Sequence, residues 1–376
     1  MFRYFENLVD PYVAYPESDS PPQTLTAFLW AYMKPFRQVF IACAFAACLI
    51  AAIEVGLVAY LGRLVNILGT GAPQEVWADH GVEFILVGLG LLFLRPVVYL
   101  THTMILNQTV LPNLGTLVRW RAHRHVLRQS VGWFEDDFAG RIANRVMQTP
   151  SATGGAAFQI FDAFAFAGAY VIAAGVLLAQ ADVTLLVPLL LWFVPYLILM
   201  RWVVLKVGPA SQAFSDARST VSGQVVDSYT NIHSVKMFAQ NEREIAYAKD
   251  GIEHARQTFQ VETRLITIMD AGLTILNGLL IVGLVGWSLY RWMQGSHEVG
   301  LVAAATAIVL RLQAMSGWIM GAISNFYQEV GVIREGMQTI AQPITLVDRA
   351  GATPLQVTTG EVVVDDLTHH LSLIHI

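Results

Sequence analysis

Three charged residues, Glu54, Arg95 and Arg311, fall inside otherwise apolar runs. A charge in a bilayer is costly, so it usually faces a bundle interior or water, or pairs with an opposite charge. Two kinds of chemistry follow: a polar lining for a substrate path, or a structural ion pair. Arg95 stands beside Pro96 and could also snorkel toward a water interface. Arg311 shares a helix face with Met315 and Trp318, because steps of four and seven return to the same side. A cationic, aromatic face of that kind suits amphipathic or anionic substrates. If Arg311 is instead half of an ion pair, Glu54 is the first acid to name. The residues alone leave both readings open.

Other chemistry-bearing residues are weaker candidates. His123 and His125 lie two apart, on different faces of a helix, which is poor spacing for a metal. His369 and His370 read as the end of a strand. Cys43 and Cys48 fall in one apolar run, about 140° apart on a helix, so they cannot pair within it. There is no CxxC spacing for a metal. Gly154-Gly155 reads as a flexible lead into an apolar span, since no strand precedes it as a phosphate loop would require. A nucleotide phosphate loop also needs Gly directly before Lys. The four lysines follow Met33, Leu205, Val235 and Ala248.

These residues must be positioned by elements that composition describes well. Of 376 residues, 55% are hydrophobic and only 14% charged, against about 25% charged in an ordinary soluble domain. Mean hydropathy is +0.51. The chain reads as an all-α polytopic membrane protein. The formal net charge of −5 offers no basic stripe, so no nucleic-acid partner is expected. Acidic residues Glu6, Asp10, Glu17 and Asp19 precede any apolar run, which does not fit a signal peptide.

A spanning helix needs about 20 apolar residues. Six runs qualify, at 38–60, 81–102, 158–180, 183–205, 265–290 and 301–322. The third and fourth are joined only by Gln180, Ala181 and Asp182, a tight hairpin. Pro188 and Pro195 inside the fourth are tolerable in a membrane helix. Arginine and lysine concentrate in loops 103–157 and 206–264, while 61–80, 181–182 and 291–300 are nearly free of them. By the positive-inside rule both termini should be cytoplasmic. The two basic loops are long and helical in period: Phe214, Ala217, Val221, Val225, Tyr229, Ile232 and Val235 recur at steps of three or four, and Ile245, Ala248, Ile252, Ala255 and Phe259 repeat the pattern. The spans are therefore expected to continue out of the bilayer, turn and return. Thr24–Lys34 carries an apolar stripe suited to a short interfacial lead-in helix.

The boundaries that follow are an N-terminal segment over 1–37, a six-helix body over 38–340, and a linker over 341–359 marked by Pro343, Gly351 and Pro354. A β-rich run begins a further domain over 360–370.

Trp133-Phe134-Glu135, then Gly140-Arg141 and Asn144-Arg145, resembles the first intracellular loop of ABC exporters. Tyr229-Thr230-Asn231-Ile232-His233-Ser234-Val235-Lys236-Met237-Phe238 with Glu242 resembles the second. Gly360-Glu361-Val362-Val363-Val364 resembles the opening strand of that family's nucleotide-binding domain. The resemblance runs from about residue 24 to 370. It departs from the family pattern at Met147-Gln148-Thr149-Pro150, where an Asn-Asp pair is usual, and after His370, where an aromatic is usual. The first loop should therefore end differently, and 371–376 reads as a non-native tail on a truncated chain.

The resemblance implies an all-α transmembrane domain that forms half of an exporter or flippase. It implies coupling helices at Phe138–Met147 and Tyr229–Met237, with Gly140, Arg141, Asn144, Arg145, Tyr229, Asn231, His233 and Lys236 docking on a nucleotide-binding domain. Without the resemblance, the basic members would read as a solvated, positive-inside loop. Glu54, Arg95, Arg311, Met315 and Trp318 are expected at the substrate cavity. The implied partners are a second half-transporter (the same chain or a paralogue), the nucleotide-binding domain, membrane lipids and an amphipathic substrate. No cofactor or ATPase activity is expected in this chain; ATP and Mg²⁺ belong to the missing domain. A bacterial inner membrane is implied. The competing class is a membrane receptor or sensor with helical cytoplasmic arms. An ion-coupled transporter would be expected to show internal repeats.

Overall fold

The computed structural model describes residues 1–69, 71–135, 139–238, 241–348, 351–353, 356–357, 360 and 362–366. Everything regular among them is helical. A short α1 (Phe2–Glu6) precedes an extended arm, and α2 (Leu25–Met33) follows. The apolar stripe of α2 buries Phe28, Tyr32 and Met33 while Trp30 stays exposed. Pro35 sits in a 3₁₀ turn that hands α2 over to α3 (Arg37–Leu68). The second crossing is α4 (Pro73–Leu89), α5 (Arg95–Met104) and α6 (Leu111–Leu127), joined by π-helical turns at Gly90–Leu94 and Ile105–Val110. A short α7 (Val131–Glu135) comes next. The chain returns through α8 (Ala139–Phe158), a third π-helical turn at Gln159–Phe164, and α9 (Ala165–Ala181).

Three very long helices complete the body. α10 runs Leu186–Thr230, α12 Asn241–Met293 and α13 Val299–Ile340, with the short α11 (Ile232–Met237) between the first two. At 1.5 Å per residue, the 45 residues of α10 and 53 of α12 reach about 68 and 80 Å, against about 30 Å of bilayer hydrocarbon. They project as the two-helix arm expected from periodicity. α10 and α12 pack along each other, with Phe214 against Phe259 at 4.7 Å between ring centroids and Ser228 bonded to Glu244. Among the described residues, six helical stretches are long and apolar enough to cross a membrane. In the second, none of the most apolar window is buried inside the chain, so those side chains are left for lipid or another subunit.

α13 organises the interior, packing against α8, α3 and α12. One buried cluster joins Phe28, Phe36 and Phe40 to Leu114, Leu117, Val146 and Ile333. The other joins Tyr170, Leu189, Trp192 and Tyr196 to Leu280, Ile308 and Leu312. Close approach depends on two glycines at one end of the bundle. A Cβ on Gly62 would lie 2.7 Å from the carbonyl oxygen of Gly300, and one on Gly300 would overlap Gly62 and the Asn66 side chain. Asn66 Oδ1 accepts the Gly300 N–H at 2.6 Å, which fixes α3 against the start of α13.

Several sequence expectations are corrected here. Gly154-Gly155 is not a flexible lead; it lies inside α8, and a Cβ on Gly155 would meet the Glu329 carboxylate of α13. Met147–Pro150, where the family's Asn-Asp pair is replaced, lies inside α8, which runs on through Pro150. The β-rich run expected over 360–370 falls only in part on described residues, Gly360 and 362–366, which carry no ladder among the described residues. Glu361 and 367–376 lie outside the described residues, so the tail's status is not addressed.

Contacts that no sequence pattern announces tie down the N-terminal segment. Asn113 Nδ2 donates to the carbonyls of Glu6 and Val9, and Thr109 Oγ1 to that of Phe5. Tyr15 lies under the Arg121 guanidinium, 4.1 Å from ring centroid to carbon, and burial pushes its phenol above the ordinary range. Glu17 pairs with Arg124 and Arg128, and Asp19 with Arg128. The Asp19 carbonyl then receives the N–H of Ile344 at 2.7 Å, so arm and linker meet.

Candidate functional site: a charged cavity and two loop tips

The helix faces carrying Glu54, Arg95 and Arg311 converge. α3 contributes Glu54, α5 contributes Arg95, Tyr99 and His102 at steps of four and three, and α13 contributes Arg311, Met315 and Trp318. Together they line a cavity of about 550 Å³ that also receives Asn107, Asp162 and Phe166. All five residues expected at a cavity are therefore brought to one.

The two readings of Arg311 turn out to be compatible. Arg311 Nη2 lies 2.6 Å from Glu54 Oε2, and Arg95 Nη2 3.9 Å from Glu54 Oε1. One carboxylate is thus shared by two guanidiniums, and the triad carries one net positive charge. Glu54 is the more shielded member at 18% exposure, while Arg311 and Arg95 retain 42% and 53%. The acid anchors the triad and both cations keep donors free toward the cavity. Trp318 stands edge-on to Phe166, with centroids 6.2 Å apart and planes at 79°, which gives the wall an aromatic side.

The same cavity holds polar residues that the sequence reading passed over. His102 Nε2 lies 2.8 Å from Asp162 Oδ1, with Cys43 Sγ 3.6 Å from the same nitrogen. His102 closed an apolar run and so read as its boundary. Asp162 was an acid inside an apolar run, the same signal that singled out Glu54. The π-helical turns flank this region: Arg95 follows the first, Asn107 lies in the second and Asp162 in the third. Such one-residue expansions re-aim side chains and recur at functional sites.

The loop residues fare differently. At the second tip, α10 ends at Thr230 and Asn231 breaks the helix at φ −96°, ψ 23°, its amide donating to the Asp227 carbonyl and carboxylate. Tyr229, Asn231, His233 and Lys236 are all exposed, beside exposed Met237 and Phe238. Tyr229 and His233 do not share the single coupling helix implied over Tyr229–Met237, because Asn231 separates α10 from α11. At the first tip the separate short helix is α7, Val131–Glu135, rather than Phe138–Met147, which falls largely on the start of α8; Phe138 lies outside the described residues. Gly140, Arg141 and Asn144 are exposed on the first turns of α8. Arg145 faces inward to α13, meeting Thr339 Oγ1 at 3.0 Å and Glu335 Oε1 at 3.4 Å. Beside them, Gln342 at the head of the linker receives Trp133 Nε1 on its side chain at 2.6 Å, and its carbonyl meets His125 Nε2 and Gln129 Nε2.

At the other end of the bundle, Asp182 caps the tight hairpin by accepting Thr184 N–H and Oγ1–H at 2.9 and 2.8 Å. It also meets Arg291 Nε at 2.6 Å and His297 Nε2 at 3.0 Å. Desolvation opposes its charge, but these four donors outweigh it and hold the carboxyl well below the usual range.

A helical body with a charged central cavity, long paired arms and exposed tips can be set against known proteins. Residues 40–315 match the family model of the ABC transporter transmembrane region, which is more than half of the chain. The chain belongs to the ABC transporter transmembrane family. An uncharacterised ABC transporter ATP-binding protein of Haemophilus influenzae is 32% identical over 371 residues. That alignment takes in 98% of this chain but only 60% of the relative, so the chain spans well under the relative's full length. A solved bacterial Atm1-family ABC exporter with ATP bound superposes with a TM-score of 0.66 over 86% of this chain and 56% of its own. At 14% identity that likeness concerns the fold alone. The fold is that of an ABC exporter membrane domain, and the family's work is transport across a membrane.

Proposed function

We propose that this ABC transporter membrane domain forms the substrate path of an ATP-driven exporter or flippase for anionic amphiphiles. The observation that carries the reading is the Glu54–Arg95–Arg311 triad, whose two guanidiniums stay partly exposed on a cavity that Trp318 also lines, while the other acid there, Asp162, is paired with His102. A guanidinium with unused donors suits a carboxylate or phosphate head group, and the aromatic wall suits an apolar tail. A nucleotide-binding domain supplies ATP and Mg²⁺ chemistry, and this chain contributes no phosphate loop of its own. Coupling runs through Tyr229, Asn231, His233 and Lys236 at the second tip and Gly140, Arg141 and Asn144 near the first. Arg145 supports the first arm from within. A second half-transporter, identical or paralogous, completes the path. Both termini lie in the cytoplasm, and the membrane is a bacterial inner membrane.

The test is transport in proteoliposomes containing this domain joined to a nucleotide-binding domain, with paired fluorescent amphiphiles that differ only in an anionic or neutral head. Arg311→Ala should lower ATP-driven movement of the anionic probe more than that of the neutral one. Equal loss for both probes would remove the triad from head-group recognition.

A further inference from the structure

Three side chains from three different helical segments place unlike donor atoms around one point. Cys43 comes from α3, His102 from α5 and Asp162 from the π-helical turn after α8. Cys43 Sγ, His102 Nε2 and an Asp162 oxygen all lie within 4.8 Å of one another. Cys43 is fully buried and His102 nearly so, with Asp162 half-buried at the cavity wall. A single imidazole nitrogen faces both other donors, at 3.6 Å from the sulfur and 2.8 Å from the carboxylate oxygen. An ordinary His–Asp pair accounts for the shorter distance. It does not account for a thiol directed at the same nitrogen.

We propose that Cys43, His102 and Asp162 form a binding site for a thiophilic, borderline divalent cation of the Zn²⁺ type. Tetrahedral zinc with bonds of about 2.3 Å to sulfur and about 2.05 Å to nitrogen sets those two ligand atoms about 3.6 Å apart, the separation found here. The matching nitrogen–oxygen edge is about 3.4 Å, so the Asp162 carboxylate must recede by about 0.6 Å. It can do so, because the side chain borders the cavity rather than packed core. Mixed S, N and O donors select zinc and its neighbours over Mg²⁺ or Ca²⁺, which take oxygen alone. Three protein ligands leave the fourth position to water or a cargo group, reached from the cavity side where His102 and Asp162 are lining residues. The step is coordination without redox change. The thiol proton leaves to solvent; the Nε2 proton that His102 shares with Asp162 is also displaced, the ring taking up its single proton on Nδ1 instead, so that the Nε2 lone pair is free for the metal. Because the ligands come from α3, α5 and the turn after α8, a bound ion would also pin three crossings of the bundle together. The inference stands apart from the transport reading, since binding needs neither ATP nor a nucleotide-binding domain.

The test uses the detergent-purified chain, Zn²⁺ in competition with a chromophoric chelator, and Co²⁺ as a spectroscopic probe. The expected result is one Zn²⁺ per chain and a thiolate-to-cobalt charge-transfer band. Cys43→Ser should abolish that band. Cys43→Ser and Asp162→Asn should each weaken Zn²⁺ binding at least about tenfold, since losing a ligand costs no less than losing its supporting shell. Cys48→Ser, at the exposed second cysteine, should change neither. Absence of the charge-transfer band in the unmodified chain overturns the proposal whether or not the variants fold. So does undiminished Zn²⁺ binding in Cys43→Ser.

Discussion

Removing Arg311 should destabilise the bundle less than a broken buried ion pair normally does, and the reason is Arg95. A buried carboxylate stripped of its only partner costs about 3–5 kcal/mol. Glu54 would retain Arg95 Nη2 at 3.9 Å from its other oxygen, and it keeps 18% exposure to the cavity. Arg311→Ala should therefore cost only about 1–2 kcal/mol. Arg95→Ala should cost less than about 1 kcal/mol, since Arg95 is half exposed and its contact is long. Removing both cations strands Glu54, and the double variant should lose about 3 kcal/mol or more, above the sum of the singles. Adding Glu54→Gln to the double variant should recover most of that loss, because no charge is then left without a partner. The assay is thermal unfolding of the purified chain in one detergent across all four variants. Strictly additive singles with a total under about 1 kcal/mol, or no recovery with Glu54→Gln, would refute the shared-carboxylate argument.

Close packing at Gly300 gives a second expectation: Gly300→Ala should lower the melting point by the equivalent of about 1–3 kcal/mol, as overpacking against backbone does. Gly317→Ala, with open space around it, should not. The Asp182 clasp should show acid sensitivity. Its folded pKa is depressed, so its stabilisation is complete above the ordinary Asp value of about 3.9 and is lost as pH falls below that toward the depressed one. Melting curves of wild type and Asp182→Asn should therefore converge as pH drops below about 4, and a constant gap would contradict the assignment. For orientation, single cysteines at Gln74 and Gln294 should label from outside intact cells and one at Lys236 should not; the reverse pattern would invert the topology.

The crossings were legible because long apolar runs have few folded alternatives, and the α10–α12 arm because its apolar residues keep helical steps far beyond the bilayer. The cavity was half legible. Arg311, Met315 and Trp318 share a face by spacing alone, and Glu54 and Arg95 announce themselves as charges among apolar neighbours. Cys43, His102 and Asp162 come together only through packing between α3, α5 and the turn after α8, and each residue alone looks ordinary. The π-helical turns have no simple periodic signature. The departure at Met147–Pro150 did not reveal that α8 passes straight through it, held against α13 by Arg145 and the close contact at Gly155. The N-terminal arm was read only as a cytoplasmic extension, because its grip on Arg121, Arg124 and Arg128 depends on where α6 lies.

The central claim is that this cavity is the transport path of an ATP-driven exporter, and alternating access to it is the direct measurement. Ala314 lines the cavity beside Met315, so a single cysteine there, in a Cys48→Ser background, reports which side can reach it. With a nucleotide-binding domain supplied, a membrane-impermeant thiol reagent should reach Ala314→Cys from the cytoplasmic side without nucleotide. With ATP trapped, it should reach that cysteine from the outside instead. Labelling from one side only under both conditions, while ATP is hydrolysed, would contradict the account.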